Sequence, residues 1–247
     1  MTANSEQPHV ALLAPMPSEL RPLIRPFHLR RATGDKDVYE GSLGATRVTA
    51  MRTGMGMRSA AGVTERILDR ARPDHVIVVG VAGGIDERLA IGDVITPVVV
   101  IDGATGNEYR PTDQLRTTTG QPASGALHTS DELIVDAERL ADLARRGVIA
   151  LDMETAAVAA VCQQRGCPWS VFRAISDRVS DGIVDTDIFK LAGPDGSPRM
   201  GAVAAFVLRH PGRIGHLARL GRDLQKATTA AAAAAVDGCA HVKPRGE

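Results

Sequence analysis

Aromatic side chains are scarce in this sequence: four Phe, two Tyr and one Trp, 3% of 247 residues. So few flat rings argue against the stacking platforms that bind single-stranded nucleic acid. An excess of either charge is also missing, since 29 Lys plus Arg balance 29 Asp plus Glu. No net field therefore draws the chain to nucleic acid or to a membrane. Cysteine is limited to Cys162, Cys167 and Cys239, an odd number that gives no disulfide framework and suits a reducing compartment. No run approaches the roughly 18 uninterrupted apolar residues of a membrane helix. The opening MTANSEQPHVALLAP lacks the basic region and apolar core of a signal peptide. His9, His28, His75, His128, His210, His216 and His241 do not cluster, and HExxH and Cys-x2-Cys are absent, so no metal site is expected. The Gly-x-Ser-x-Gly elbow, the GxGxxG fingerprint and the phosphate-binding P-loop are missing too. A cytoplasmic globular protein remains, with 44% apolar residues to fill a core.

What is present alternates between strand and helix. His9–Pro15 and His75–Val81 are continuous apolar runs, the pattern of strands covered on both faces. Ala45–Arg52 and Trp169–Ser176 read as strands, as does Asp93–Ile101 with Pro97 demoting part of it toward an edge or bulge. Ser59–Arg70, Asp131–Arg146 and Asp152–Gln164 carry helical spacing, with Val148–Leu151 a short strand between the last two. Met200–Thr229 reads as helical, interrupted at His210-Pro211-Gly212. Such alternation predicts one α/β domain, a mostly parallel sheet with helices on both faces. The domain is expected over residues 1–229, its basic helical extension beginning about residue 200. The six alanines Ala230–Ala235 offer no large side chain to dock. They are expected to extend the last helix and then fray over 230–247.

Four places carry chemistry, and each has a structural explanation beside the functional one. Glu19 follows the first strand, where a first-turn acid is also favoured by the helix dipole. Thr53-Gly54-Met55-Gly56 and Gly80-Val81-Ala82-Gly83-Gly84 let backbone approach a ligand, although tight turns explain them equally well. Asp152-Met153-Glu154 lies at a strand-to-helix junction, where Glu154 could serve as a cap. Arg173 stands inside an apolar strand that ends in Ser176-Asp177. A buried guanidinium needs an acidic partner or a ligand, and Asp177 lies at the strand end where α/β sheets bind ligands.

In this order, ALLAPMPSEL, TGMGMRSAA, VIVVGVAGGIDERLAIGDVI, ALDMETAAVAAVC and VFRAISDRVSD resemble the nucleoside phosphorylase/nucleosidase superfamily. Within it, the likeness is to the 5'-methylthioadenosine/S-adenosylhomocysteine nucleosidase branch, over about residues 9–181. The resemblance implies a single-domain three-layer α/β/α fold with a nucleoside phosphorylase-like mixed central sheet. It also implies hydrolysis of the N-glycosidic bond of a 5'-substituted adenosine, a homodimer, and no metal or organic cofactor. Asp177 is then the acid that protonates the purine at N7, oriented by Ser176, and raised in pKa by partial burial. Glu19 activates the attacking water, and Arg173 helps hold the water and carboxylates. Glu154 accepts hydrogen bonds from the ribose hydroxyls, Met153 packs on the sugar, and Ala82, Gly83 and Ile134 line base and sugar. Two carboxylates with opposite tasks follow the logic of glycoside hydrolysis.

Two positions depart from the branch: Val81 replaces the usual Ser, and Leu133 the usual base-stacking aromatic. The uncharged Val78-Val79-Gly80-Val81, with Glu19 repelling phosphate, favours hydrolysis over phosphorolysis. The basic residues Arg209, Arg213, Arg219, Arg222 and Lys226, with Leu217, Leu220 and Leu224 on one face, read as a docking helix or as a membrane-surface helix. The second reading, with Asp102–Gly106, is similar to a hopanoid-associated branch acting on adenosylhopane, a lipid-linked nucleoside. A non-catalytic nucleoside-binding protein is a third reading, against which Glu19, Glu154, Arg173 and Asp177 all being present argues.

Overall fold

The fold is that of a computed structural model, which describes residues 7–112, 115, 122–178, 191, 193, 197 and 199–244. Residues 179–181, the end of the last motif, and the first six residues of the N-terminal segment lie outside the described residues.

The order is β1 His9–Ala14, α1 Pro17–Ile24, β2 Arg30–Ala32, β3 Asp35–Leu43, β4 Thr46–Arg52 and α2 Met57–Ala71, then β5 His75–Gly84. There follow β6 Val94–Ile95, β7 Val99–Asp102, β8 Glu108–Tyr109, β9 Ala126–Thr129, α3 Ala137–Arg145, β10 Val148–Asp152, α4 Thr155–Gln164 and β11 Trp169–Arg178. Helix α5 Met200–Arg209, a 3-10 turn Pro211–Arg213 and α6 Ile214–Cys239 complete the described chain. All strands join one sheet ordered β2-β3-β4-β1-β5-β10-β9-β7-β8, with β11 beside β5 and β6 beside β11. Parallel pairs (β1 with β4 and β5, β11 with β5, β9 with β7 and β10) alternate with antiparallel ones such as β3–β4 and β5–β10. The sheet is therefore mixed rather than mostly parallel.

The continuous apolar runs are explained by the two faces they feed. Leu12, Ile77, Val79, Phe172 and Ala174 pack with α1 and α6, whereas Leu13, Val76, Val78, Val171 and Ile175 pack with α2 and α4. Alternate residues of β1, β5 and β11 thus enter opposite layers, as strand geometry requires.

Three expectations are corrected. The run Asp93–Ile101 breaks at Thr96-Pro97-Val98 into β6 and β7, which pair with different strands, because Pro97 has no amide for a ladder. The helix expected over Asp131–Arg146 begins at Ala137, capped by Asp136, whose side chain accepts from the Arg139 N–H; the earlier residues form a loop, and β9 precedes them. The alanines do not fray. Ala231, Ala232, Ala234 and Ala235 are buried inside α6, because small side chains let this helix lie directly on β11 and β5. A β-carbon at Gly238 would meet the Phe172 ring at 2.5 Å.

Candidate active site

Strand β5 is where the sheet branches, and the site forms at the branch. β1 accompanies β5 only as far as Val78, and β10 joins the same side only at Gly83 and Gly84. Between these contacts the Val81 N–H needs another acceptor. Glu19, on the first turn of α1, supplies it: its Oε1 accepts from Val81 N at 2.8 Å. Its Oε2 accepts from Met16 N at 2.7 Å, so the same carboxylate also closes a capping box at the start of α1. The first-turn reading of Glu19 thus holds, and the same carboxylate lies at the end of β5 beside Arg173. A β-carbon on Gly80 would fall 2.2 Å from Glu19 Oε1 and 2.4 Å from Arg173 Nη1. The glycine is what leaves room for the pair.

Arg173, 0% exposed on β11, meets three carboxylates. Its Nη2 donates to Asp152 Oδ2 at 2.5 Å and lies 3.4 Å from Glu154 Oε2, while its Nη1 is 3.5 Å from Glu19 Oε1. The partner demanded by a guanidinium in an apolar strand is thus a set of acids. Asp152, to which the sequence alone gave no role, makes the shortest contact. It also accepts from Thr129 Oγ1 at 2.6 Å and from the Thr155 hydroxyl and N–H. The signal for it was present, since Asp152 ends the apolar run Val148–Leu151 at the junction already singled out.

Three carboxylates facing one guanidinium cannot all stay charged cheaply in a dry site. Burial pushes the Glu19 carboxyl up to about 7, against the opposing pull of Arg173 and the Val81 and Met16 amides. Burial likewise raises Glu154, and the neighbouring Asp152 charge adds to it against Arg173. Glu154 stands at the N-cap of α4 without making a side-chain capping bond. It reaches across instead to accept the Gly56 N–H at 3.0 Å. The Glu154 side chain therefore does not cap its own helix but binds the N-terminus of α2.

Ser176 and Asp177 are set by an irregularity. β11 runs in register with β5 to Ile175 opposite Ala82, and resumes with Asp177 opposite Gly83, leaving Ser176 as the extra residue. Such a bulge re-aims side chains. Ser176 Oγ donates to Asp177 Oδ1 at 2.6 Å and lies 3.5 Å from the Ala82 carbonyl oxygen. Glu19 at Val81 and Asp177 at Gly83 are two residues apart along β5, roughly 7 Å at strand rise. Met153 is half-buried between Asp152 and Glu154, Ala82 is buried, and Gly83 is half-buried. Ile134 is buried beyond β9, packed with Ile101 and Ala126. Among the described residues no group of three His, Cys, Asp or Glu is arranged to hold a metal ion.

An acid beside a hydroxyl, a second buried acid near neutrality and a third tied to a helix N-terminus suit proton transfer at both ends of a bond. The family model described as Phosphorylase superfamily matches residues 9–138 and 117–209. The 5'-methylthioadenosine/S-adenosylhomocysteine nucleosidase of Bacillus subtilis is 33% identical over 176 residues, 61% of this chain and 73% of that one. Among solved structures, the nucleosidase of the same name from Colwellia psychrerythraea 34H, in complex with adenine, aligns with a TM-score of 0.72. It is 19% identical, with 97% of each chain covered. Futalosine hydrolase of Helicobacter pylori aligns at 0.71, with 16% identity over 96% of this chain and 99% of that one. The likeness to these two structures is one of fold.

Proposed function

The chain belongs to the phosphorylase superfamily, and from that premise we propose that it hydrolyses the N-glycosidic bond of a 5'-substituted adenosine and releases adenine. The observation that carries this reading is the buried set of Glu19, Asp152 and Glu154 around Arg173. With three carboxylates matched against it, the guanidinium offers no uncompensated charge to a phosphate. A carboxyl near pKa 7 at Glu19 is well placed to take a proton from water at neutral pH.

The steps follow from the roles. Asp177, held by Ser176, gives its proton to the purine N7, so that the base leaves neutral. Positive charge builds on the ribose as the C–N bond lengthens. Water held by Glu19 and Arg173 attacks the anomeric carbon and passes its proton to Glu19. Glu154 accepts from the ribose hydroxyls while keeping its Gly56 N–H, since a carboxylate has about four acceptor sites. Met153 packs on the sugar, and Ala82, Gly83 and Ile134 line sugar and base.

Incubation with 5'-methylthioadenosine tests the reading. Adenine release by wild type, with loss in Asp177→Asn, supports it; no release from this or other 5'-substituted adenosines overturns it. A homodimer in the cytoplasm is part of the same proposal, and analytical ultracentrifugation tests the dimer. A membrane-surface role for the basic helix has one supporting observation. Leu208 is 84% and Ile214 51% exposed, flanking the turn that begins the Arg213–Lys226 stretch. Such a contact would suit a bulky apolar 5' substituent, and cosedimentation with anionic vesicles tests it. Among the described residues no helix is long and apolar enough to cross a membrane.

A further inference from the structure

Helix α2 begins without a cap of its own. Gly56 stands at its N-cap with φ +90°, and the first turn holds no acid. Its first two amides are nevertheless taken, both by carboxylates from distant parts of the chain. Gly56 N–H donates to Glu154 Oε1 at 3.0 Å, and Met57 N–H donates to Asp131 Oδ1 at 2.7 Å. A β-carbon at position 56 would lie 3.2 Å from Asp131 Oδ1, so the second carboxylate rests against the glycine.

Asp131 opens the loop that leads to Leu133 and Ile134. The start of this loop is already tied to the Asp152 junction. Ser130 N–H donates to the Asp152 carbonyl at 3.0 Å, and Thr129 Oγ1 donates to the Asp152 carboxylate. Within the loop, Glu132 N–H donates to Ser130 Oγ at 3.1 Å. Met57 therefore gives the loop its second anchor, on the same helix end that holds Glu154. Successive amides of one helix have a fixed spacing, and an anion there gains from the exposed N–H groups and the helix dipole.

We propose that Asp131 is a positioning residue for the nucleoside. By docking loop 130–134 on the N-terminus of α2, it fixes the distance between the Leu133–Ile134 wall of the base pocket and the ribose-binding Glu154. This rests on the functional reading above. The base and ribose of a nucleoside form one stiff ligand, so a loop free of its anchor meets the base less often in the right place. Binding suffers more than the chemical step.

The test compares wild type, Asp131→Ala and Asp131→Asn for KM, kcat and inhibition by adenine. Asp131→Ala is expected to raise KM and the adenine inhibition constant about tenfold, the scale of a lost N-cap acceptor. Its kcat should stay within about twofold, and Asp131→Asn, which keeps an oxygen acceptor, should restore most of the loss. Unchanged KM and inhibition constant in Asp131→Ala, a fall confined to kcat, or equal losses in both variants would overturn the proposal. If wild type itself releases no base, the functional reading fails, and amide exchange at Met57 then decides the anchor separately. Faster exchange in Asp131→Ala than in wild type upholds the anchor, and equal exchange refutes it.

Discussion

Glu19 and Glu154 were visible in the sequence as acids at strand ends, but their proton affinity was not, because it depends on burial beside each other and Arg173. For Glu19 the consequence for pH has a definite sign. Its carboxyl rises from 4.5 in the unfolded chain to about 7 in the native one. The stability it contributes is therefore complete below pH 4.5 and is lost as pH rises through 7. The loss is on the order of 3 kcal/mol, at about 1.4 kcal/mol per unit. Glu19→Gln has no such titration, so wild type should lose Tm relative to this variant between pH 5 and pH 8. Parallel melting of the two proteins across that range would remove the raised carboxyl from the account. In activity the sign is opposite: water activation needs the ionised form, so kcat/KM should climb with pH up to about 7. Asp177→Asn should lower kcat by about 100-fold or more with Tm unchanged within a few degrees. Retained turnover would take Asp177 out of the mechanism. Arg173 was legible for a physical reason, since a charge inside an apolar strand demands compensation. Asp152 stood at a junction the pattern marked, but its pairing with Arg173, like that of Thr155, was hidden because short polar residues at a strand-to-helix turn look like ordinary caps.

Among the elements, β5 and α6 depend on glycine where side chains would collide. Gly80→Ala places a methyl 2.2 Å from Glu19 Oε1 in a site with no room to yield. It should abolish base release while retaining most helix content by circular dichroism, and wild-type turnover would show that the pair tolerates displacement. Gly238→Ala improves helix propensity but drives its methyl into Phe172, which is fully buried. Overpacking of about 1–3 kcal/mol should win, with a Tm lower by about 5 °C in a chain of this size. A higher Tm would mean that α6 lies less closely on the sheet than described. The same helix marks a limit of sequence reading. A run of alanines carries no large hydrophobic signal, so its burial follows only from the flat, closely approached surface of β5 and β11. Strand β9 has only Ala126 and Leu127 before His128 and Thr129, so it lacks the unbroken apolar run that marks Val148–Leu151. By contrast, His9–Ala14 and His75–Gly84 announced themselves as buried strands through unbroken apolar character.

For the molecule as a whole, the three layers were readable from alternating runs of strand and helix, while the branching at β5 was not. That branching arises where β1 ends its pairing at Val78 and β10 begins its own at Gly83, a pairing choice that no local pattern records. It opens the stretch of β5 in which Glu19 reaches the backbone, so sheet topology and proposed chemistry meet at one place. The central claim is that this assembly directs water, rather than phosphate, to the sugar. Chromatographic identification of the products from 5'-methylthioadenosine, with and without phosphate, tests it most directly. Adenine and free methylthioribose at a rate independent of phosphate is the predicted result. Adenine formed only with phosphate, together with a sugar 1-phosphate, would contradict it.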